Sequence, residues 1–461
     1  MPCRVSLTQL IDLLAATPLQ GDRTLPKFLP AADAIVATGI TTDTRQLQTG
    51  EVFLALRGEQ FDGHAFVTQA AAKGAVAAIV EMPVPEVSLP LLQVPNTLLA
   101  YQTIARWWRN QFTIPVIAVT GSVGKTTTKE LIAAVLSRHG QVLKSQANYN
   151  NEIGVPKTLL ELDASHDYAV IEMGMRAAGE IACLGQIARP DIGVITNVGT
   201  AHIGRLGSED AIAQAKCELL AELPAIGTAI LNHDNARLMQ TAATVWPGKI
   251  MTFGLEGGDL HGELLDAETL KLGDLTLPLP LPGRHNALNY LAAIAVAQVI
   301  GCDWSDLVNG LSVNLPGGRA RRYELPQDML LLDETYNAGL ESMLAALHLL
   351  AQTPGTRRIA VLGTMKELGD RSPEFHHQVG QAVRDLALDK LLILADPTEA
   401  EAMATGAAPL TAERYASHAA VVDRLQELLQ PGDRVLFKAS RAVGLDQVVE
   451  QVRATLTPIP A

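Results

Sequence analysis

Cysteine is scarce: four stand in 461 residues, at Cys3, Cys183, Cys217 and Cys302, and no two form a CxxC pair. That argues against a zinc ribbon or a disulfide framework, and reduced, buried thiols are expected. Aromatic residues make up only 4% of the chain, so Ala, Leu and Val must carry the core. Basic residues are also short, with 36 Lys and Arg against 49 Asp and Glu, a net charge of −13. A chain this acidic is not a general nucleic-acid binder, and an anionic substrate would need a locally positive site. No apolar run approaches ~18 residues, so no membrane span is expected. The start, MPCRVSLTQLIDLLAATPLQ, is interrupted by Gln9 and Asp12. It reads as a short amphipathic helix capped by Ser6, not as a signal peptide. A cytoplasmic protein is expected.

What is present is a globular chain, 48% hydrophobic and 18% charged. At about 150 residues per domain, its length predicts three domains. A front block runs to about residue 112 and ends in the helical stretch NTLLAYQTIARWWRN. The second block, 113–316, alternates apolar runs with helical patterns: IPVIAVTG, YAVIEM, DIGVITNV, GTAILN and KIMTFG. Such alternation indicates βαβ units and a parallel sheet. LTLPLPLPGRH and the Ala-rich helix NALNYLAAIAVAQVIG follow, and NLPGGRARR punctuates the boundary. The third block, 317–461, repeats the alternation with MLLLDE, RRIAVLG, KLLILAD and RVLFKAS. It reads as a smaller, doubly wound α/β domain. No internal repeat or low-complexity tract is visible.

TGSVGKTTTKE (120–130) follows a strand and opens a helix, the context a phosphate-binding loop requires. Thr120, Gly121, Ser122, Val123 and Gly124 form the loop, and the two glycines let the backbone turn tightly around a phosphate. Lys125 can reach the β- and γ-phosphates, and the Thr126 hydroxyl can hold Mg²⁺. Val119 stands where the commoner motif has glycine, so this is the shorter TGxxGKT form. No Asn-Lys-x-Asp segment exists to read guanine, so ATP is the expected nucleotide.

Open α/β sheets place ligands at the carboxyl ends of their strands. There YAVIEM delivers Glu172, a candidate metal ligand, and ITNVGTAH delivers His202. Downstream, AIAQAKCELLAEL (211–223) places Lys216 in an apolar stripe. The residues three and four away are Ile212, Ala213, Leu219 and Leu220, and none is a carboxylate. On spacing alone this is a lysine whose stem packs while its head reaches water. Buried, it would lose its proton, react with CO₂ and become a carbamate, an oxygen ligand on a long arm.

Seven segments occur in order: TGSVGKTTTKE, ANYNNEIGVPKTLLEL, YAVIEMGM, NVGTAHIGRLGS, AKCELL, GRHNALNYLAA and DETYNAGLESM. Together they resemble the Mur ligases of peptidoglycan synthesis. YNA followed by Ser-Met after an acidic pair is similar to the branch that joins D-alanyl-D-alanine to UDP-MurNAc-tripeptide. The front block, TDTRQLQTGEVFLALRGEQFDGHAFVTQAAAKGA, is similar to that branch's N-terminal domain. The resemblance implies three α/β domains: a UDP-substrate domain (1–112), a central P-loop ATPase-like parallel-sheet domain (113–316) and a C-terminal Rossmann-like domain receiving the dipeptide (317–461). It implies ATP, Mg²⁺ (two ions) and CO₂ held as a carbamate on Lys216. Glu172 and His202 match metal-binding positions. Asn289, with Asn286, matches an adenine-contacting segment. Arg319 matches an arginine brought to the phosphates from the hinge, and Asp333 an acidic residue near the ribose, with Tyr336 and Asn337 beside it. Asn148, Asn150 and Asn151 fall in a segment lining the acceptor side of the ATP site. Thr44, Arg45, Asp62 and His64 match a uridine-nucleotide-binding region.

Two departures stand out. The family's YNANP is YNAGLESM here, and its KGSR is FKASR, keeping Lys438, Ser440 and Arg441 but replacing a glycine with Ala439. Both bear on the acceptor rather than on the reaction class. The implied reaction is ATP-driven amide formation through an acyl phosphate, with the third domain closing over the P-loop to exclude water. A monomer suits such a closing enzyme. Rival readings are a folylpolyglutamate synthetase, the ligase adding the third stem-peptide residue, a P-loop ATPase switch, and a non-catalytic homologue. DETYNAGLESM and the front block speak against the first two, and Lys125, Glu172, His202 and Lys216 together against the last.

Overall fold

Each of the three sequence blocks builds its own sheet in the computed structural model, which describes residues 3–20, 23–24, 35–59 and 61–456. The front sheet has six strands in the order Arg23–Thr24, Thr17–Gln20, Pro90–Gln93, Ala77–Val80, Val52–Leu54, Ile40–Thr41. The helix Leu7–Leu14 starts at a Ser6 capping box, as its sequence required. Of the cysteines, Cys3 and Cys217 are buried but Cys183 and Cys302 are only half-buried, so the expectation of buried thiols holds for two of the four.

The central sheet has nine strands. Its order is Val142–Lys144, Tyr168–Glu172, Val116–Thr120, Ile192–Ile195, Thr228–Asn232, Lys249–Gly254, Leu260–Leu264, Thr269–Leu272, Leu275–Pro278. The first seven run parallel, and the last two are added through antiparallel pairings. The LTLPLPLPGRH stretch supplies the final edge strand, where a proline needs no ladder partner on its outer side. The chain moves to one side of Val116–Thr120 and later returns to its other side. This places the phosphate loop at the point where strand order reverses, the usual ligand crevice of such sheets.

Alternate residues of these strands point to opposite faces. Val116, Ala118, Ala169, Ile171 and Ile195 join one apolar cluster, with Ile212, Leu219 and Leu220 of the helix Glu209–Ala221. Ile117, Val119, Val170 and Val194 join another, with Leu131 of the helix Lys125–Leu136 and Leu291 of the helix Arg284–Ile300. The two helices that carry Lys125 and Lys216 therefore approach the same strand ends from opposite faces of the sheet.

The third sheet runs Arg321–Leu325, Met329–Glu334, Asp433–Lys438, Arg357–Gly363, Lys390–Leu394, Glu413–Arg414. It is parallel except for its first edge strand. No helix among the described residues is long and apolar enough to cross a membrane.

Candidate active site

The phosphate loop is set by two glycines. Gly121 has φ 153°, and a Cβ there would stand 1.9 Å from Thr196 Oγ1. Gly124 has φ 83°, and a Cβ there would stand 2.5 Å from Asn289 Oδ1. The N–H groups of Ser122 and Val123 donate to Asn197, at 3.1 and 3.0 Å, which locks the loop onto the neighbouring strand end. The helix beginning at Lys125 has no side-chain cap, so its first N–H groups and positive dipole end are left for an anion. Lys125 Nζ meanwhile donates to Gly121 O at 2.9 Å. Burial lowers its pKa, the Glu172 charge opposes that shift, and Arg319 adds to it. Thr126 is buried at the helix start.

Glu172 ends the strand beside the loop and is buried. Its Oε1 accepts from Asn150 Nδ2 at 2.9 Å. Its Oε2 is buried without a hydrogen bond, and so are Thr120 Oγ1 and Arg319 Nε. Buried polar atoms left unsatisfied in a cleft mark groups that a ligand would complete. Lys129, which the sequence did not single out, stands 3.6 Å from Glu172 Oε2.

His202 sits at φ 66°, in the left-handed region, as the residue before the short helix Ile203–Leu206. Its Nδ1 lies 2.5 Å from Oε2 of Glu367 in the third domain. Its pKa is lowered, first by burial and then by Lys125 and Lys216, with Glu367 opposing. Thr200, two residues earlier, donates its N–H to Glu341 Oε1 at 2.6 Å and its hydroxyl to Oε2 at 3.2 Å. The third domain thus rests on the P-loop domain through two carboxylates that sequence reasoning missed.

Lys216 is 1% exposed, and Ile212, Ala213, Leu219 and Leu220 around it are fully buried. The reading from spacing alone, a head reaching water, is therefore overturned. No carboxylate pairs with Lys216 among the described residues. Burial pushes its pKa well below the ordinary lysine value, Lys125 adds to the shift, and Cys217 and Glu341 oppose it. Lys125 and Arg319 give the site positive charge inside an acidic protein.

At the hinge, the Arg319 guanidinium stacks 4.0 Å from the centre of the Tyr336 ring. Asp333 is buried and accepts from the Thr335 N–H and hydroxyl, at 3.1 and 2.6 Å. Lys438 Nζ donates to Asn337 O at 2.9 Å, and Ser440 Oγ accepts from the Lys366 N–H at 2.9 Å. Both are buried and hold the 334–338 loop, whereas Arg441 is exposed and pairs with Asp446 at 2.8 Å. Asn289 Oδ1 accepts from Thr128 Oγ1 at 3.1 Å, and Asn286 Nδ2 donates to Pro282 O at 2.8 Å. Asn289, itself donating to Asn286 Oδ1 at 3.4 Å, braces the first turn of the phosphate-loop helix. Asn286 also lines a cavity shared with Ala320, Arg321 and Glu334 at the junction with the third domain.

The front-domain residues form a separate group. Thr44 Oγ1 donates to Gln69 at 3.0 Å, and exposed Arg45 pairs with Asp43 at 2.8 Å, which holds the Asp43 carboxyl down at about 2. His64 Nε2 accepts from the Glu81 N–H at 2.8 Å, so its proton sits on Nδ1, 2.5 Å from Asp62. Lys157 of the central domain reaches Gln46 at 3.3 Å and Tyr149 at 3.2 Å, joining this region to the segment that holds the asparagines. Of those, Asn150 bonds Glu172, Asn151 Oδ1 accepts from the Gly154 N–H at 2.9 Å where the helix Gly154–Leu159 begins, and Asn148 is exposed.

Three segments match family descriptions. Residues 36–107 match the Mur ligase family catalytic domain, 119–297 the Mur ligase middle domain, and 318–441 the Mur ligase glutamate ligase domain. A UDP-N-acetylmuramoyl-tripeptide–D-alanyl-D-alanine ligase of Synechocystis sp. is 60% identical over 92% of this chain and 93% of its own length. The chain belongs to the MurF branch of the Mur ligase family. Among solved MurF structures, one from Acinetobacter baumannii superimposes with TM-score 0.88 at 34% identity, covering 98% of this chain and 99% of that one. A MurF ligase from Thermotoga maritima in complex with ADP superimposes with TM-score 0.82 at 30% identity, covering 91% and 97%. This MurF-type chain therefore shares the three-domain architecture of its relatives throughout.

Proposed function

We propose that the protein is an ATP-dependent ligase that joins D-alanyl-D-alanine to UDP-MurNAc-tripeptide, giving the UDP-MurNAc-pentapeptide, ADP and phosphate. The observation carrying this reading is the whole-length likeness to ligases of that name, joined to a cationic phosphate loop at the sheet's switch point. The tripeptide's terminal carboxylate attacks the γ-phosphorus of ATP, the bond to ADP breaks, and an acyl phosphate forms. Lys125 and Arg319 hold the phosphoryl charge during this transfer. The dipeptide amine then attacks the acyl carbon, the carbon–oxygen bond to phosphate breaks, and the amine gives up a proton. Phosphorylation matters because a bare carboxylate would have to expel oxide.

The donor set fits a divalent cation once Lys216 is modified. Mg²⁺ prefers oxygen, and Thr126 and Glu172 offer it, the latter through a buried oxygen without a hydrogen bond. Among the described residues no group of three His, Cys, Asp or Glu side chains stands ready to hold a metal. A carbamate on Lys216 would supply the missing anionic oxygens, with His202 nearby. A cation bound there would neutralise phosphate charge. Thr44, Arg45, Asp62 and His64 would receive the uridine nucleotide, and Asn148 the approaching substrate. The protein acts as a monomer in the cytoplasm on this reading, with domains divided near residues 112 and 316.

The test is phosphate release by the purified protein. Release requiring ATP, UDP-MurNAc-tripeptide and D-alanyl-D-alanine together is the expected result. Release with ATP alone, or with the tripeptide and a single amino acid, would overturn it.

A further inference from the structure

One turn along the phosphate-loop helix from Lys125, Lys129 lies fully buried. Its ammonium donates to Ser145 O at 2.7 Å and stands 3.1 Å from Glu130 Oε1 and 3.6 Å from Glu172 Oε2. Glu130 is shared, because its other oxygen is taken by Lys144. Lys129 is therefore the cation that pairs directly with Glu172 from the buried side, while Lys125 acts on the same carboxylate from the phosphate loop. The same Ser145 that anchors Lys129 through its carbonyl fixes Glu172 through its hydroxyl, which accepts the Glu172 N–H at 3.0 Å. Asn150 holds Oε1, while Oε2 faces the ammonium just beyond hydrogen-bond reach. Lys129 is too deeply buried to touch a nucleotide, and nothing in the reaction above uses it.

We propose that Lys129 is a positioning residue. It braces the Glu172 carboxylate from behind, so that Oε2 stays free for the divalent cation that accompanies ATP. The proposal rests on the reading of Glu172 as a cation ligand. Groups that orient a metal's ligands without touching the metal typically change its affinity about 10- to 100-fold when removed. The sign is informative, because deleting a bystander cation would leave divalent-cation binding unchanged or tighten it by removing repulsion.

The experiment is titration of the full-length enzyme–ADP complex with Mn²⁺, followed by electron paramagnetic resonance. K129M should raise the Mn²⁺ Kd about tenfold or more while ADP affinity measured without metal stays the same. The charge-balanced double variant K129M/E130Q keeps the test available should K129M fail to fold, and should show the same loss. Excess Mg²⁺ should restore turnover of either variant without restoring its melting temperature, which a purely structural role would not allow. A Kd unchanged or lowered in a folded variant overturns the proposal. E172Q separates the two levels. If it leaves the Kd unchanged, the ligand reading falls and this proposal with it; if it raises the Kd while K129M does not, only the role of Lys129 falls.

Discussion

Lys129 and Lys216 are both buried lysines of the central domain, on helices packed against opposite faces of one sheet. Lys129 has a carbonyl and two carboxylates within 3.6 Å. Lys216 has apolar neighbours, no carboxylate partner among the described residues, and a proton that burial makes easier to lose. Burial alone does not decide a lysine's role. On the proposals above, compensated charge suits Lys129 to a bracing role, and uncompensated charge suits Lys216 to react with CO₂.

The largest effect should come from breaking the compensated side. K129M leaves Glu130 and Glu172 without their shared cation, and removing one partner of a buried pair costs about 3–5 kcal/mol. Chemical denaturation of wild type and K129M measures this, and a loss below 1 kcal/mol would mean that Lys129 is not compensating anything. The uncompensated side should behave oppositely. K216A should lower kcat about 10²–10³-fold, the usual scale for one charge-stabilising group in a water-excluded site. Its melting temperature should stay level or rise, since an isolated buried cation is relieved. Full activity in K216A would remove Lys216 from the chemistry.

A pH series sharpens the contrast. The folded Lys216 pKa lies below the ordinary 10.5, so between the two values the unfolded chain binds more protons. Wild-type stability therefore gains a component that rises with pH across that window. In CO₂-free buffer, the stability advantage of K216M over wild type should shrink as pH climbs from neutral toward 10.5, and a constant difference would contradict the shift. The smallest effect belongs to the partly exposed contact between His202 and Glu367. E367Q should cost about 0.2–1 kcal/mol. Because Glu367 opposes the lowering of the His202 pKa, its removal should move the His202 titration midpoint further down, as read by proton NMR. An unmoved midpoint would break that link between the domains.

The sequence announced the parts whose chemistry fixes residue type at fixed spacing. Gly121, Gly124 and Lys125 were readable because a phosphate admits few alternatives, and the strands because their apolar runs had the right length. Lys216 was visible as an anomaly, but only its 1% exposure decides between a packed and a solvated head. Lys129 was hidden because TTTKE looks like any helix start, and its partners Ser145 and Glu172 arrive from neighbouring strands. Glu341 and Glu367 lie 141 and 165 residues from the residues they hold, beyond any periodic signal. The antiparallel end of the central sheet was obscured by prolines that suit an edge but argue against an interior strand.

The contrast between the two lysines is tested most directly by ¹³C NMR of the protein equilibrated with ¹³C-bicarbonate. A carbamate resonance should appear in wild type, persist in folded K129M and vanish in K216M. No carbamate resonance in wild type, or one that survives K216M, would rule out a carbamate on Lys216.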